Sequence, residues 1–466
     1  MSELWFENLR KTYNQYIQST DKYNPGVNMY NEKTQMMKGD KIRELQKEKM
    51  LKMVHYAYDK VPMYKRRFKD AGISPSDIKS LGDVHKIPFT VKDDLRDHYP
   101  YGILAVPKEE VVRFHASSGT TGTPTVVSYT RNDLDTWYDL MARTYNAAGV
   151  EPEDIVQNAY GYGLFTGGLG FHSGAEKLGC AVLPTATGNT KKQIKMMYDF
   201  QTDVLACTPS YAIYLAEAAK GLGYKPQKDF NLRIGMFGAE PWSDEARASI
   251  QESFGLKAQD VYGMSELYGP GVAVECPEQQ GLHIWADEFY VETIDPVSGE
   301  VLPEGEKGEL VFTMLSREAM PLLRYRTKDI AIINYEECEC GRYHPRIMRI
   351  KGRSDDMLII GGVNVFPSQI EAALLETEGI SEHYQIIVDR DVLDKLYVKA
   401  EVDKDYYGSP GYNEEELLKR TSENITAILN IRASVNLLEP GAIPRTVGKA
   451  KRVIDMREEH DRIEDV

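Results

Sequence analysis

Between residues 175 and 260, short apolar runs alternate with helix-like stretches. The runs are Cys180-Ala181-Val182-Leu183-Pro184, Val204-Leu205-Ala206-Cys207-Thr208-Pro209 and Leu232-Arg233-Ile234-Gly235-Met236-Phe237-Gly238-Ala239-Glu240. This rhythm predicts βαβ units around buried parallel strands, since a strand covered by helices on both faces has no solvent side to alternate with. Ligands of such sheets sit beyond the carboxyl ends of the strands. Gly238-Ala239-Glu240 and the next strand end, Asp260-Val261-Tyr262-Gly263-Met264-Ser265-Glu266, therefore fall where a site belongs.

At 466 residues the chain exceeds what one core usually holds, so more than one domain is expected. Residues 1–40 are polar and Tyr-rich without a clear period and read as an N-terminal extension. From Asp40 to Ala71 the spacing of Leu45, Met50, Leu51, Val54, Ala57 and Tyr58 predicts a helix broken at Val61-Pro62. A second short helix is expected from Thr90, a short strand at Val126–Tyr129, and a helix from Arg131 to Ala148. Phe289–Asn334 reads as short antiparallel or barrel-like strands, with turns at Pro296–Gly299 and Pro303–Glu306. Beyond Gly352–Asp356 the pattern restarts as a small β/α module, with a helix from about Pro367 to Thr377, strands at Gln385–Val388 and Leu396–Val402, and a helix across Glu414–Leu429. The expected division is an extension over 1–40, a large α/β domain over 41–354 and a small α+β domain over 355–466.

The chain carries 71 Asp and Glu against 56 Lys and Arg, a net charge of −15, which argues against nucleic acid as a partner. There is no basic start followed by an apolar core and no apolar run of membrane-spanning length, so neither secretion nor a membrane is expected. The five cysteines fit a reducing, cytoplasmic setting better than a disulfide framework.

Three stretches carry candidate chemistry. Ser117-Ser118-Gly119-Thr120-Thr121-Gly122-Thr123-Pro124 clusters hydroxyls and glycines, which suits a loop that brings backbone N–H groups to phosphate. It has the spacing of neither the P-loop nor the dinucleotide fingerprint, and a plain polar turn is the alternative. Ala159–His172 places glycines among aromatics, which suits an aromatic or acyl ligand or, alternatively, tight backbone packing. Cys276, His283, Cys338 and Cys340 offer three thiols and an imidazole for a structural zinc if the fold joins them, with His344 as a substitute ligand and buried free thiols as the alternative.

Taken in order, Ser117–Gly122 with Pro124, Tyr262-Gly263-Met264-Ser265-Glu266, Arg324-Tyr325-Arg326-Thr327-Lys328-Asp329, Gly352-Arg353-Ser354-Asp355-Asp356 and Pro444-Arg445-Thr446-Val447-Gly448-Lys449 resemble the successive signatures of acyl-adenylate-forming enzymes. Tyr160–Gly168, Phe237-Gly238-Ala239-Glu240-Pro241-Trp242 and Gly362–Ser368 resemble phenylacetate-CoA ligases in particular. The similarity begins near Asp40.

The resemblance implies a large adenylate-forming domain with a small mobile C-terminal domain. It implies ATP, Mg²⁺ and coenzyme A as cofactors and an aromatic carboxylic acid as substrate. Ser117, Ser118, Gly119, Thr120, Thr121 and Gly122 would hold the β- and γ-phosphates; Glu266 would help bind Mg²⁺. Gly238, Ala239, Glu240 and Pro241 would border the adenine, with Asp260, Tyr262, Gly263, Met264 and Ser265 lining the nucleotide. Asp329 would accept from the ribose hydroxyls, with Arg353 nearby. Tyr160, Tyr162, Phe165 and Gly167 would flank the acyl group, Asp355 would be the hinge, and Lys449 would meet the charge developing at the α-phosphate. A homodimer is common among such relatives. Thr123 stands where the superfamily often has Lys, and Ser265 where Thr is common. Transfer of AMP to another acceptor, such as a deazaflavin coenzyme, and a catalytically silent nucleotide or acid binder are the competing readings.

Overall fold

A computed structural model describes residues 29–116, 123–350, 352–354, 358–360, 363–390, 394–429, 431–445 and 452–456. It divides into two compact units. The first comprises Met1–Cys207, Asn231–Ala239 and Lys257–Arg349, the second Thr208–Phe230, Glu240–Leu256 and Ile350–Val466.

In the first unit, the expected early helix spans Gly39–Lys60 and stops at Val61, where Pro62 opens the helix Pro62–Asp70. Met50, Met53, Val54 and Ala57 are fully buried along its inner face, and Lys49 is drawn in with them because its ammonium reaches Glu288 Oε1 at 2.6 Å. The helix expected from Thr90 begins two residues later, spanning Lys92–Asp97. Strands β1 (Arg113–Ala116) and β2 (Val126–Tyr129) pair antiparallel on either side of the hydroxyl-rich loop. A helix follows over Arg131–Ala147, opened by a Thr130–Asp133 capping box.

The parallel strands are β3 (Ile155–Asn158), β4 (Ala181–Leu183), β5 (Val204–Cys207), β6 (Ile234–Gly238) and β7 (Lys257–Met264). They lie in the order β4-β3-β5-β6-β7. Every residue of β5 and β6 is buried, which explains their unbroken apolar sequences. The sheet continues antiparallel through β8 (Gly269–Glu275) and β9 (Leu282–Ile284). The strands β10 (Phe289–Ile294), β11 (Gly308–Met314) and β12 (Tyr325–Ala331) form a separate antiparallel meander. The strand β13 (Ile333–Asn334) then pairs with β14 (Arg346–Ile347), which rejoins the large sheet beside β9.

The order β4-β3-β5 reverses the direction of winding: the chain leaves β3 toward β4 and leaves β5 toward β6. In doubly wound sheets the crevice at such a reversal, beyond the carboxyl ends, is where ligands bind. Here those ends run into Ala159-Tyr160 after β3, Ala239 after β6 and Ser265-Glu266 after β7.

In the second unit, Ile380–Arg390 and Asp394–Val402 form an antiparallel pair, flanked by Ser434–Leu438 and Val453–Asp455, each pairing parallel. The helices Pro367–Leu375 and Glu414–Leu429 fall where the sequence places them, and Ile370, Leu374, Leu417 and Ile425 pack into one core with Ile386, Val388 and Val398. The two flanking strands are too short and polar for their periodicity to show.

Candidate active site

Five of the proposed nucleotide residues, Asp260, Tyr262, Gly263, Met264 and Ser265, sit on β7 and its continuation. Gly263 passes so close to the next strand that a Cβ there would lie 2.1 Å from the Gly269 carbonyl oxygen. Gly238 likewise admits no side chain, the Val261 carbonyl oxygen being 2.2 Å away. These glycines press β6, β7 and β8 together, and Ala239 then leaves β6 with a positive φ of 71°. Asp260 is tied by its amide to Glu275 Oε2 at 2.9 Å.

Tyr262 donates its hydroxyl proton to Asp329 Oδ2 at 2.6 Å, and the Asp329 amide donates to Thr327 Oγ1 at 3.1 Å. Asp329 is thereby set on β12 next to β7. Ser265 and Glu266 begin the short turn Ser265–Leu267, and the Ser265 hydroxyl lies 3.3 Å from that of Thr166. Glu266 is only 3% exposed. Among the described residues its buried Oε1 has no hydrogen-bond donor, and Lys92 Nζ lies 3.6 Å from it. A carboxylate oxygen with lone pairs still available is what a hard divalent cation such as Mg²⁺ takes.

The glycine and aromatic stretch makes the other wall. Tyr160 stacks on Phe171 with centroids 4.4 Å apart, and its hydroxyl reaches the Gly238 carbonyl at 3.4 Å. Asn158 Nδ2 donates to the Tyr162 oxygen at 2.8 Å, and Tyr162 lies 3.1 Å from His172 Nδ1. Burial pushes the Tyr162 hydroxyl up to about 12, so it stays a donor to His172. His172 Nε2 in turn meets Glu176 at 3.1 Å.

Phe165 is half exposed, just before the helix Thr166–Leu178. Gly167 faces the Tyr160 ring at ordinary contact, 3.6 Å. Gly168 and Gly170 serve packing: a Cβ on Gly168 would meet the Gly161 oxygen at 2.5 Å, and one on Gly170 would meet Trp137 Cζ2 at 2.6 Å. Of the two readings of this stretch, close backbone approach accounts for Gly168 and Gly170.

Ser117–Gly122, Asp355 and Lys449 lie outside the described residues. Thr123 and Pro124 are described just past that loop. Glu240, Pro241 and Arg353 belong to the second unit. There the Ser210 amide, at the start of helix Pro209–Gly221, donates to Glu240 Oε1 at 2.7 Å, and burial raises the Glu240 carboxyl above its usual range. Pro241 is exposed. Arg353 is half-buried in the short strand Gly352–Arg353.

Sequence reasoning gave no role to Lys92, Asn158, Thr166, His172 or His115, although Thr166 and His172 lie within the glycine and aromatic stretch and His115 stands two residues before the hydroxyl loop. The His115 Nδ1–H donates to the Leu164 carbonyl at 3.0 Å, and the Ala116 amide donates to the same oxygen at 2.9 Å. Together they tie the strand entering that loop to the glycine and aromatic stretch.

The four candidate zinc ligands are brought together: one donor atom from each of Cys276, His283, Cys338 and Cys340 lies within 4.8 Å of all the others. His344 does not join them. Its Nδ1 accepts from the Ala286 amide and its Nε2 donates to the Thr34 carbonyl.

Residues 39–314 match the family model of the AMP-binding enzymes, and residues 362–457 match the AMP-binding enzyme C-terminal domain. Fold and site thus define an adenylate-forming enzyme. The chain is 47% identical to the phenylacetate-coenzyme A ligase of Thermus thermophilus over 92% of its own length and 100% of that protein's. It is 49% identical to that of Pseudomonas putida over 90% and 95%. The crystal structure of a 2-hydroxyisobutyryl-CoA ligase in the postadenylation state superposes with a TM-score of 0.89 at 29% identity, covering 96% of this chain and 97% of that one. The chain belongs to the phenylacetate-coenzyme A ligase family, and is an ATP-dependent, AMP-forming acid–CoA ligase.

Proposed function

We propose that the acid is phenylacetate or a close arylacetate. Supporting this are the names of the relatives at 46–49% identity and an acyl stretch that surrounds its glycines with Tyr160, Tyr162 and Phe165. The carboxylate attacks the α-phosphorus of ATP and pyrophosphate leaves; the coenzyme A sulfur then attacks the acyl carbonyl and AMP leaves. Both steps join anions or weak nucleophiles to crowded charge, so positioning and charge neutralisation carry the catalysis.

The observation that carries the assignment of roles is the pair of carboxylates at the strand ends. Asp329, oriented by the hydrogen bond from Tyr262, accepts from the ribose hydroxyls. Glu266, whose buried Oε1 has no hydrogen-bond donor among the described residues, takes Mg²⁺, which neutralises phosphate charge when bound. Ser117–Gly122 cradle the β- and γ-phosphates, Gly238–Pro241 border the adenine, Arg353 approaches the ribose, and Lys449 meets the α-phosphate. Asp355 serves as the hinge. These last roles rest on the motif resemblance. We place the enzyme in the cytoplasm as a homodimer; the five cysteines form no disulfide.

The test is pyrophosphate release from MgATP with phenylacetate, its hydroxylated forms, indoleacetate, benzoate and short fatty acids, each with and without coenzyme A. Sustained turnover with arylacetates only when coenzyme A is present supports the reading. Preference for an aliphatic acid would sink the substrate assignment while leaving the ligase chemistry intact.

A further inference from the structure

We propose that Cys276, His283, Cys338 and Cys340 hold one structural zinc ion that pins a surface turn to the antiparallel end of the large sheet. The inference does not depend on which acid the enzyme activates.

Geometry comes first. Cys276 and Cys338 have sulfurs 3.8 Å apart, and Cys340 Sγ lies 3.4 Å from His283 Nε2. Tetrahedral zinc with Zn–S of about 2.3 Å and Zn–N of about 2.05 Å sets these edges at about 3.8 Å and about 3.6 Å. A disulfide needs sulfurs about 2.05 Å apart, so the cluster is not an oxidised pair.

The surroundings orient the donors. The His283 ring places Nδ1 3.3 Å from the His344 carbonyl, an acceptor, so the proton belongs on Nδ1 and the Nε2 lone pair faces the thiols. Backbone amides of Glu278 and Arg342 donate to the sulfurs of Cys276 and Cys340. The Cys338–Arg342 turn is closed by Gly341 N–H to the Cys338 carbonyl at 2.7 Å and by Cys338 N–H to the Arg342 carbonyl at 3.1 Å. Gly341 supplies the left-handed φ of 83° that this tight turn needs.

Cys276, His283 and Cys338 are buried. Packing by itself gives no reason to gather three thiols around one imidazole lone pair.

Three thiolates and one imidazole select a soft, tetrahedral ion over Mg²⁺. Four protein ligands leave no open position, so the ion is structural. It joins the residue after β8, a residue within β9 and the turn between β13 and β14. The hairpin of β7 and β8 carries Ser265 and Glu266 at its other end, so the ion steadies the strands that present the Mg²⁺ carboxylate.

The experiment measures metal in enzyme purified without chelator. About one zinc per chain is expected, the content of a closed four-ligand site. Cys276→Ser and Cys340→Ser should lose most of it, and Cys180→Ser, outside the cluster, should keep it. Should the cluster variants fail to fold, wild-type enzyme from cobalt-supplemented growth should show thiolate-to-cobalt charge transfer and the ligand-field bands of a tetrahedral ion. Metal-free enzyme that takes up no cobalt and whose five thiols all titrate on denaturation would overturn the proposal, as would full zinc content in Cys340→Ser.

Discussion

Tyr262 and Asp329, 67 residues apart, share a 2.6 Å hydrogen bond that fixes the Asp329 carboxylate against β7. The bond links β7 of the large sheet to β12 of the meander, and Glu266 lies just past the end of β7 in the turn Ser265–Leu267.

Tyr262→Phe removes the donor but keeps the ring, which stacks near Phe312. Losing one such hydrogen bond costs about 1 kcal/mol, roughly fivefold. The expected outcome is a rise of that size in KM for ATP with KM for the acid unchanged. An unchanged KM for ATP in both Tyr262→Phe and Asp329→Ala would remove Asp329 from the nucleotide site.

Glu266→Gln takes away the negative charge meant for Mg²⁺. Pyrophosphate release should fall roughly 100-fold or more, the scale for removing one group aimed at developing charge. Lys92→Met should act oppositely on the metal: Lys92 competes for the same oxygen from 3.6 Å, so the Mg²⁺ concentration at half-maximal rate should drop by about two- to fivefold, as an exposed ion pair worth under about 1 kcal/mol allows.

Gly167→Ala and Gly168→Ala make a paired test of the acyl stretch. The first meets only the Tyr160 ring at 3.6 Å and should be nearly neutral; the second drives a methyl to 2.5 Å from the Gly161 oxygen. Overpacking of that kind costs about 1–3 kcal/mol. A denaturant melt and KM for the acid should both move in Gly168→Ala alone.

His115 gives a pH dependence. Burial holds its pKa below the ordinary value, and among the described residues its buried Nε2 has no hydrogen-bond partner, so protonation would bury an unsatisfied N–H. The unfolded chain takes up this proton first as pH falls below about 6.5, so stability drops there and is insensitive to this group above it. His115→Asn, which can keep the donor to the Leu164 carbonyl, should flatten that part of the stability profile relative to wild type. Parallel profiles would show that His115 does not titrate on unfolding.

The parallel strands were legible because burial on both faces leaves continuous apolar runs, as in Val204–Cys207, and helix Glu414–Leu429 was legible because one face is apolar at helical spacing. β8 and β9 were not read from the sequence. Gly269 and Pro270 open β8 with turn-like residues, and three-residue β9 is too short for a period to emerge. Lys92 beside Glu266 and the chain from Asn158 through Tyr162 and His172 to Glu176 were equally hidden, since no local pattern marks a partner reached across space.

By itself the sequence determined the family, the reaction class and the residue types at the site, because glycine loops, strand-end carboxylates and motif order are written locally along the chain. Only the tertiary structure decided that Tyr262 holds Asp329, that Lys92 lies beside Glu266, and that Cys276, His283, Cys338 and Cys340 converge. Those are properties of distance, and distance between residues far apart in the chain is set by sheet order and packing rather than by any run of neighbours.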